Sequence, residues 1–220
     1  MQGKVRKTPF LYTKQIQQME PISKDISKRL KIYWQPFLKK ELLDKMIEKI
    51  APTYTVAELC KRGLVIPIKK WKIYINNSTN RSINQYVVGA LYFEWQPYMF
   101  GWLHMYNAYH FTTQIAERYT IYNSTISAKK VIGRSKFIFK KVRPSFFYGS
   151  VRKKIDWYRV NLMSPERALI ELLRQTANPE FVKVLPGNVS KDKIINMAKK
   201  YSSKIVLQRV MNLINAWKNN

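Results

Sequence analysis

Forty Lys and Arg side chains stand against 13 Asp and Glu in a chain of 220 residues, a formal net charge of +27. An excess of that size repels itself in any compact state, so such a chain is expected to meet an anion. Nucleic acid is the leading partner class, and an anionic membrane surface is the second. The chain nevertheless has material for a core. Hydrophobic residues make up 46%, with 6 Trp, 14 Tyr and 10 Phe, which excludes a wholly disordered chain and fits one compact domain or two small ones.

The same imbalance argues against most catalytic chemistry. Hydrolytic metal sites need clustered carboxylates or His and Cys ligands. Only His104 and His110 exist, the single cysteine is Cys60, and 118–155 holds eleven basic residues and no acid. No HExxH, paired CxxC, GxSxG or P-loop string occurs. The expectation is a non-enzyme with no catalytic residues, no cofactor and no metal. One cysteine excludes an internal disulfide. The start, MQGKVRKTPFLYTKQ, lacks the apolar core of a signal peptide, and the longest apolar run, YVVGALYF at 86–93, is too short to span a membrane. A cytoplasmic protein without a membrane partner follows as the expectation.

Along the chain, 1–20 reads as a basic N-terminal arm. From 21 to 77 the pattern is three short helices and a hairpin. The first helix carries Ile26, Leu30 and Tyr33 on one face and ends before Pro36. The second is expected over 37–50, and the third over 55–62 with Thr53 or Thr55 as cap and Gly63 as its stop. Strands are expected at 64–68 and 72–76, with Pro67 marking an edge position. This is the order of a winged helix-turn-helix. NNSTN at 76–80 reads as a linker.

The segment 81–220 reads as a mixed α/β domain. Helices are expected at 82–95 and 101–111, strands at 118–123, 135–143, 145–149 and 156–162, and helices again from Ser164, from Ser190 to about 201, and over 204–218. In strand 135–143, Phe137 and Phe139 alternate with Lys136, Ile138 and Lys140, which gives one cationic sheet face. The fold class is therefore α+β.

Two constellations could meet DNA. In the first, Lys61 and Arg62 on the third helix and Lys69, Lys70 and Lys72 at the hairpin tip share one side. The helix is expected to enter the major groove and the hairpin to lie along the backbone or minor groove, with Lys69, Lys70 and Lys72 neutralising phosphates without reading sequence. Thr53, Tyr54, Thr55 and Glu58 are the expected exposed contacts to base edges. The second is a basic surface of Lys129, Lys130, Arg134, Lys136, Lys140, Lys141, Arg143, Arg152, Lys153 and Lys154, with Arg118 beside it, which serves DNA or an acidic protein surface. The aromatic residues from Tyr92 to Tyr109 lie at helical spacing and read as core rather than as stacking platforms.

Three stretches carry a family resemblance. ELCKRGLVIPIKKWKIYI, QPYMFGWLHMYNAYHFTTQ and MSPERALIELL resemble, in that order, segments of the AbiEi-type antitoxins of type IV toxin–antitoxin, or abortive-infection, systems. The resemblance covers about 40 to 220. It departs at Lys70–Trp71, where the family usually has Arg–Gly, at Trp102 to Ala108, which lacks the usual small Ser-Ala, and at Glu171, which replaces the common Asp. It implies an N-terminal winged helix that represses its own promoter. It also implies a C-terminal domain that counters a nucleotidyltransferase-like toxin without a stable complex. The expected partner is double-stranded DNA. The alternative is a stand-alone DNA-binding regulator or DNA-organising protein with no toxin.

Overall fold

In a computed structural model, the described residues are 21–33, 35–79, 82–176, 187, 189–201 and 203–218. The basic arm expected over 1–20 lies outside them. The chain divides into two compact units, Met1–Ser82 and Ile83–Asn220, and both mix helix with sheet. An α+β chain is the result.

The first unit runs α1 (Pro21–Ile32), β1 (Phe37–Lys39), α2 (Lys40–Ile50), α3 (Val56–Lys61), β2 (Val65–Lys69) and β3 (Ile73–Asn76). Its antiparallel sheet has the order β1-β3-β2. The helix expected to begin at 37 begins at Lys40 instead. Residues 37–39 extend along β3, with Phe37 opposite Ile75 and Lys39 opposite Ile73. Pairing β3 on both edges and burying Leu38 outweigh the local helical pattern. Ile26, Leu30, Leu43, Ile47 and Leu59 bring the three helices onto one core. Pro67 does lie on an edge strand, beside a bulge between Pro67 and Lys69.

The expected linker at 76–80 begins inside this unit. Asn76 is buried, and its amide donates to the carbonyls of Leu30 at 2.7 Å and Tyr33 at 3.2 Å. Leu30 lies in the last turn of α1, where carbonyls lack an intrahelical partner, and Tyr33 directly follows the helix. Ser78 is buried as well and donates its backbone N–H to Asn76 Oδ1.

The second unit holds a six-stranded sheet of order β6-β7-β5-β4-β9-β8. Its strands are β4 (Tyr98–Gly101), β5 (Tyr119–Asn123), β6 (Ala128–Ile132), β7 (Ser135–Lys141), β8 (Ser150–Ile155) and β9 (Tyr158–Met163). Hairpins β6–β7 and β8–β9 are antiparallel, whereas β7–β5 and β4–β9 are parallel. The helices are α4 (Gln85–Tyr92), α5 (Leu103–Ala108), α6 (Pro165–Gln175), α7 (Lys191–Lys200) and α8 (Lys204–Lys218). Residues 145–149, expected as a strand, instead form most of a 3-10 turn over Pro144–Phe147 followed by Tyr148 and Gly149. Pro144 sits at its first position, where a missing N–H costs nothing.

Helix α4 lies close on the sheet because residue 89 has no side chain. A Cβ there would stand 2.5 Å from Ile121 Cδ1 and 2.6 Å from Phe100 Cζ. Gly89→Ala is therefore expected to destabilise the second unit by about 1–3 kcal/mol through overpacking. Thermal unfolding of the variant checks this, and an unchanged melting temperature would show that α4 can move away freely.

Candidate nucleic-acid interface

Helix α3 is short, and its start is fixed by side chains. Thr55 accepts from the backbone N–H of Glu58, while the Glu58 carboxylate accepts from the Thr55 backbone N–H at 2.8 Å and from its hydroxyl at 3.1 Å. This reciprocal box selects Thr55, not Thr53, as the cap. It also engages Glu58 locally, where the sequence suggested a base contact. Tyr54 is a second correction. It is 8% exposed and belongs to the core, with the Arg62 guanidinium 4.8 Å from its ring centroid. Thr53, Thr55, Lys61 and Arg62 are exposed.

The hairpin turn is closed by Lys72 N–H donating to Lys69 O at 3.0 Å. Lys70, Trp71 and Lys72 are exposed around it, and Lys69 is half-buried. The five-residue strand β2 separates this turn from Lys61 and Arg62, about 16 Å of chain at the usual rise. Lys61 and Arg62 therefore precede one end of β2, and Lys69, Lys70 and Lys72 lie at its other end. The fold adds a neighbour that the sequence did not suggest. Lys40 N–H donates to Lys72 O at 2.9 Å, and Lys39 pairs with Ile73, so both residues join the base of the turn. Lys40 bonds to Asp44 at 2.5 Å, which raises its pKa. The Lys39–Lys40 doublet was the available signal, hidden because β1 was read as helix.

In the second unit the ten expected cations do not form one surface. Lys129, Lys130, Arg134, Lys136, Lys140 and Lys141 belong to the β6–β7 hairpin, and Arg152, Lys153 and Lys154 to β8. These hairpins occupy opposite edges of the sheet, so β6 and β8 lie five strand spacings or about 24 Å apart. Arg143 is exposed beyond the end of β7, and Arg118 is exposed just before β5. Lys136 alternates with buried Phe137 and Phe139 as expected, and meets Glu117 at 3.9 Å in an exposed pair worth little. Lys140 is not a free surface cation. Its ammonium lies 3.6 Å from the Trp102 ring centroid, and burial lowers its pKa.

The charges least visible in the sequence are the buried ones on α6. Arg167 and Glu171 are both 0% exposed, with Arg167 Nη2 at 2.8 Å from Glu171 Oε1. That contact is close in distance but lacks hydrogen-bond alignment, and Arg167 Nε has no partner. Arg167 Nη1 donates to the Tyr148 hydroxyl at 3.0 Å, and its guanidinium packs over Phe146, Tyr148 and Tyr201. Arg174 Nε donates to the other Glu171 oxygen at 3.0 Å. An Arg–Glu pair four residues apart was the signal, masked by the rule that charges face water. The two ion pairs lie within α6, and the Arg167 contacts to Phe146, Tyr148 and Tyr201 hold the helix against its surroundings.

Among the described residues, no group of three or more His, Cys, Asp or Glu side chains could hold a metal ion, and no helix is long and apolar enough to cross a membrane. Neither a protein-family model nor a curated protein matches the chain. Among solved structures it is similar to the RV2827C protein from Mycobacterium tuberculosis, with a TM-score of 0.62 and 11% identity. The match covers 91% of this chain and 78% of that one, and at this identity the likeness concerns the fold.

Two outcomes follow from this geometry. Thr55→Ala removes the reciprocal cap and is expected to cost about 1 kcal/mol, read as a lower denaturant midpoint at unchanged slope. An unchanged midpoint would mean that tertiary packing alone holds α3. Burial pushes the hydroxyls of Tyr109, Tyr148 and Tyr158 up to about 12 from an ordinary value of 10.0. The unfolded chain releases these protons first, so stability is full below pH 10 and falls as pH rises toward 12. Circular dichroism against pH checks this, and stability flat across that range would contradict it.

Proposed function

We propose that the chain is a DNA-binding regulator whose first unit acts as a winged helix-turn-helix. In this reading it is the antitoxin and autorepressor of a type IV toxin–antitoxin pair. The observation that carries the DNA-binding reading is the order helix–strand–helix–helix–strand–strand, with a β1-β3-β2 sheet and a basic turn at Lys69–Lys72. In this reading α3 enters the major groove, with Thr53 and Thr55 nearest the base edges and Lys61 and Arg62 on flanking phosphates. Lys70 and Lys72, supported by Lys39 at the base of the turn, neutralise the neighbouring backbone. A basic group at each end of β2, a strand about 16 Å long at the usual rise, suits a helix in one groove and a turn on the adjacent backbone.

The antitoxin part of the reading is supported by the resemblance of three ordered segments. The segment MSPERALIELL becomes α6, where Ser164 caps the helix and Glu166, Arg167 and Glu171 are all buried. The resembling residues are therefore those that hold the second unit together. Its two basic sheet edges remain available to flanking DNA or to an acidic surface of the toxin.

The test uses the full chain with Lys69, Lys70 and Lys72 changed together to Ala. For each phosphate that the turn no longer neutralises, the log–log salt dependence of DNA binding should flatten by up to about 0.9. The weakening should be similar at all sequences, because phosphate contacts carry no sequence information. An unchanged slope in the folded variant would remove the turn from the interface. For the antitoxin assignment, co-expression with the neighbouring gene should relieve growth arrest. Promoter binding without such relief would identify a regulator that has no toxin.

A further inference from the structure

Trp71 occupies the one position of the hairpin turn that a large side chain should avoid. Its φ is 67°, in the left-handed region that glycine fills at little cost and that strains other residues. Packing does not compensate, because the side chain is 63% exposed. The backbone beneath it is nonetheless well held. Trp71 N–H donates to the hydroxyl of Tyr74 at 3.3 Å, and Tyr74 is 4% exposed in the core. The turn thus displays a broad aromatic ring on an anchored base, at a conformational cost that the folded chain alone does not explain.

The surroundings define what the ring could meet. Lys69, Lys70 and Lys72 flank it, with the Lys70 ammonium 5.9 Å from the ring centroid, and no acidic residue occurs between Glu58 and Glu94. A cation-flanked aromatic suits a polyanion with flat faces or apolar steps to receive it. We propose that Trp71 enters the minor groove of double-stranded DNA as a wedge at a base step, while the adjacent lysines hold phosphates on either side. The ring partly unstacks the step and kinks the duplex, as apolar side chains inserted from the minor groove do. Pyrimidine–purine steps, which unstack most easily, would be favoured. This rests on the reading of the first unit as a DNA-binding wing and adds to it a deformation of the DNA.

The full chain is titrated with a mixed-sequence duplex carrying a TA step and a fluorophore at each end. Energy transfer then reports the bend and the titration reports affinity. Trp71→Gly relaxes the backbone, so its melting temperature is expected to match or exceed that of the unmodified protein. Its affinity should fall about 10-fold or more, and the bend should disappear. The salt slope should stay unchanged, because the lysines still neutralise the same phosphates. Trp71→Phe should retain much of the bend, and Trp71→Ala, which keeps the strain but removes the ring, should behave like the glycine variant. A folded Trp71→Gly protein that binds and bends as before would overturn the wedge. If the triple lysine variant flattens the salt slope in that case, the wing reading survives without it. If neither variant changes binding, both readings fall together.

Discussion

Acidic side chains are the scarce resource of this fold, and the ion pair between Arg167 and Glu171 shows where one is committed. Both residues are fully buried on α6, and Glu171 also accepts from Arg174 on the following turn. Removing one partner of such a pair leaves a buried charge uncompensated, a loss of about 3–5 kcal/mol. Aromatic rings of Phe146, Tyr148 and Tyr201 close around the guanidinium, so the pair ties the 3-10 turn and the residue ending α7 to α6. Other acids are used in the same way. Glu166 accepts from Ser190 N–H, Glu58 completes the cap of α3, and Asp44 bonds to Lys40. The excess of 40 Lys and Arg over 13 Asp and Glu is the physical root of the proposed nucleic-acid reading.

The first unit gives those cations a shape. Sheet β1-β3-β2 presents a turn at one end of β2 and the end of α3 at the other, with basic side chains at both. Asn76 locks this arrangement by capping α1 from the end of β3. The rigid base under the turn explains how a strained residue such as Trp71 can be held there. The second unit distributes its cations to two opposite sheet edges, which is a different design and leaves the centre of the sheet to helices α4, α5 and α6.

Much of the architecture was legible wherever the signal was local. Thr55 and Gly63 bracket α3, Ser164 and Pro165 open α6, and Pro67 marks an edge, because caps and ring constraints act within a few residues. Elements that exist only through pairing were not legible. β1 has three residues, and β6 and β8 carry mostly exposed side chains, so neither shows the alternation of a half-buried strand. Burial of Tyr54, Arg167 and Glu171 is not legible in the sequence, because residue type alone does not show which polar groups the fold encloses. Lys70–Trp71, where the chain departs from the segments it resembles, includes the residue with left-handed backbone, Trp71.

In the proposed function the charge excess serves a polyanion at defined contacts. Affinity of the full chain for a mixed-sequence duplex, followed across ionic strength, tests it most directly. Each phosphate contacted contributes about 0.9 to the log–log slope, so two basic groups on the first unit predict a straight line with a slope of several units. Affinity that is absent at low salt, or that does not change with salt, would contradict the account.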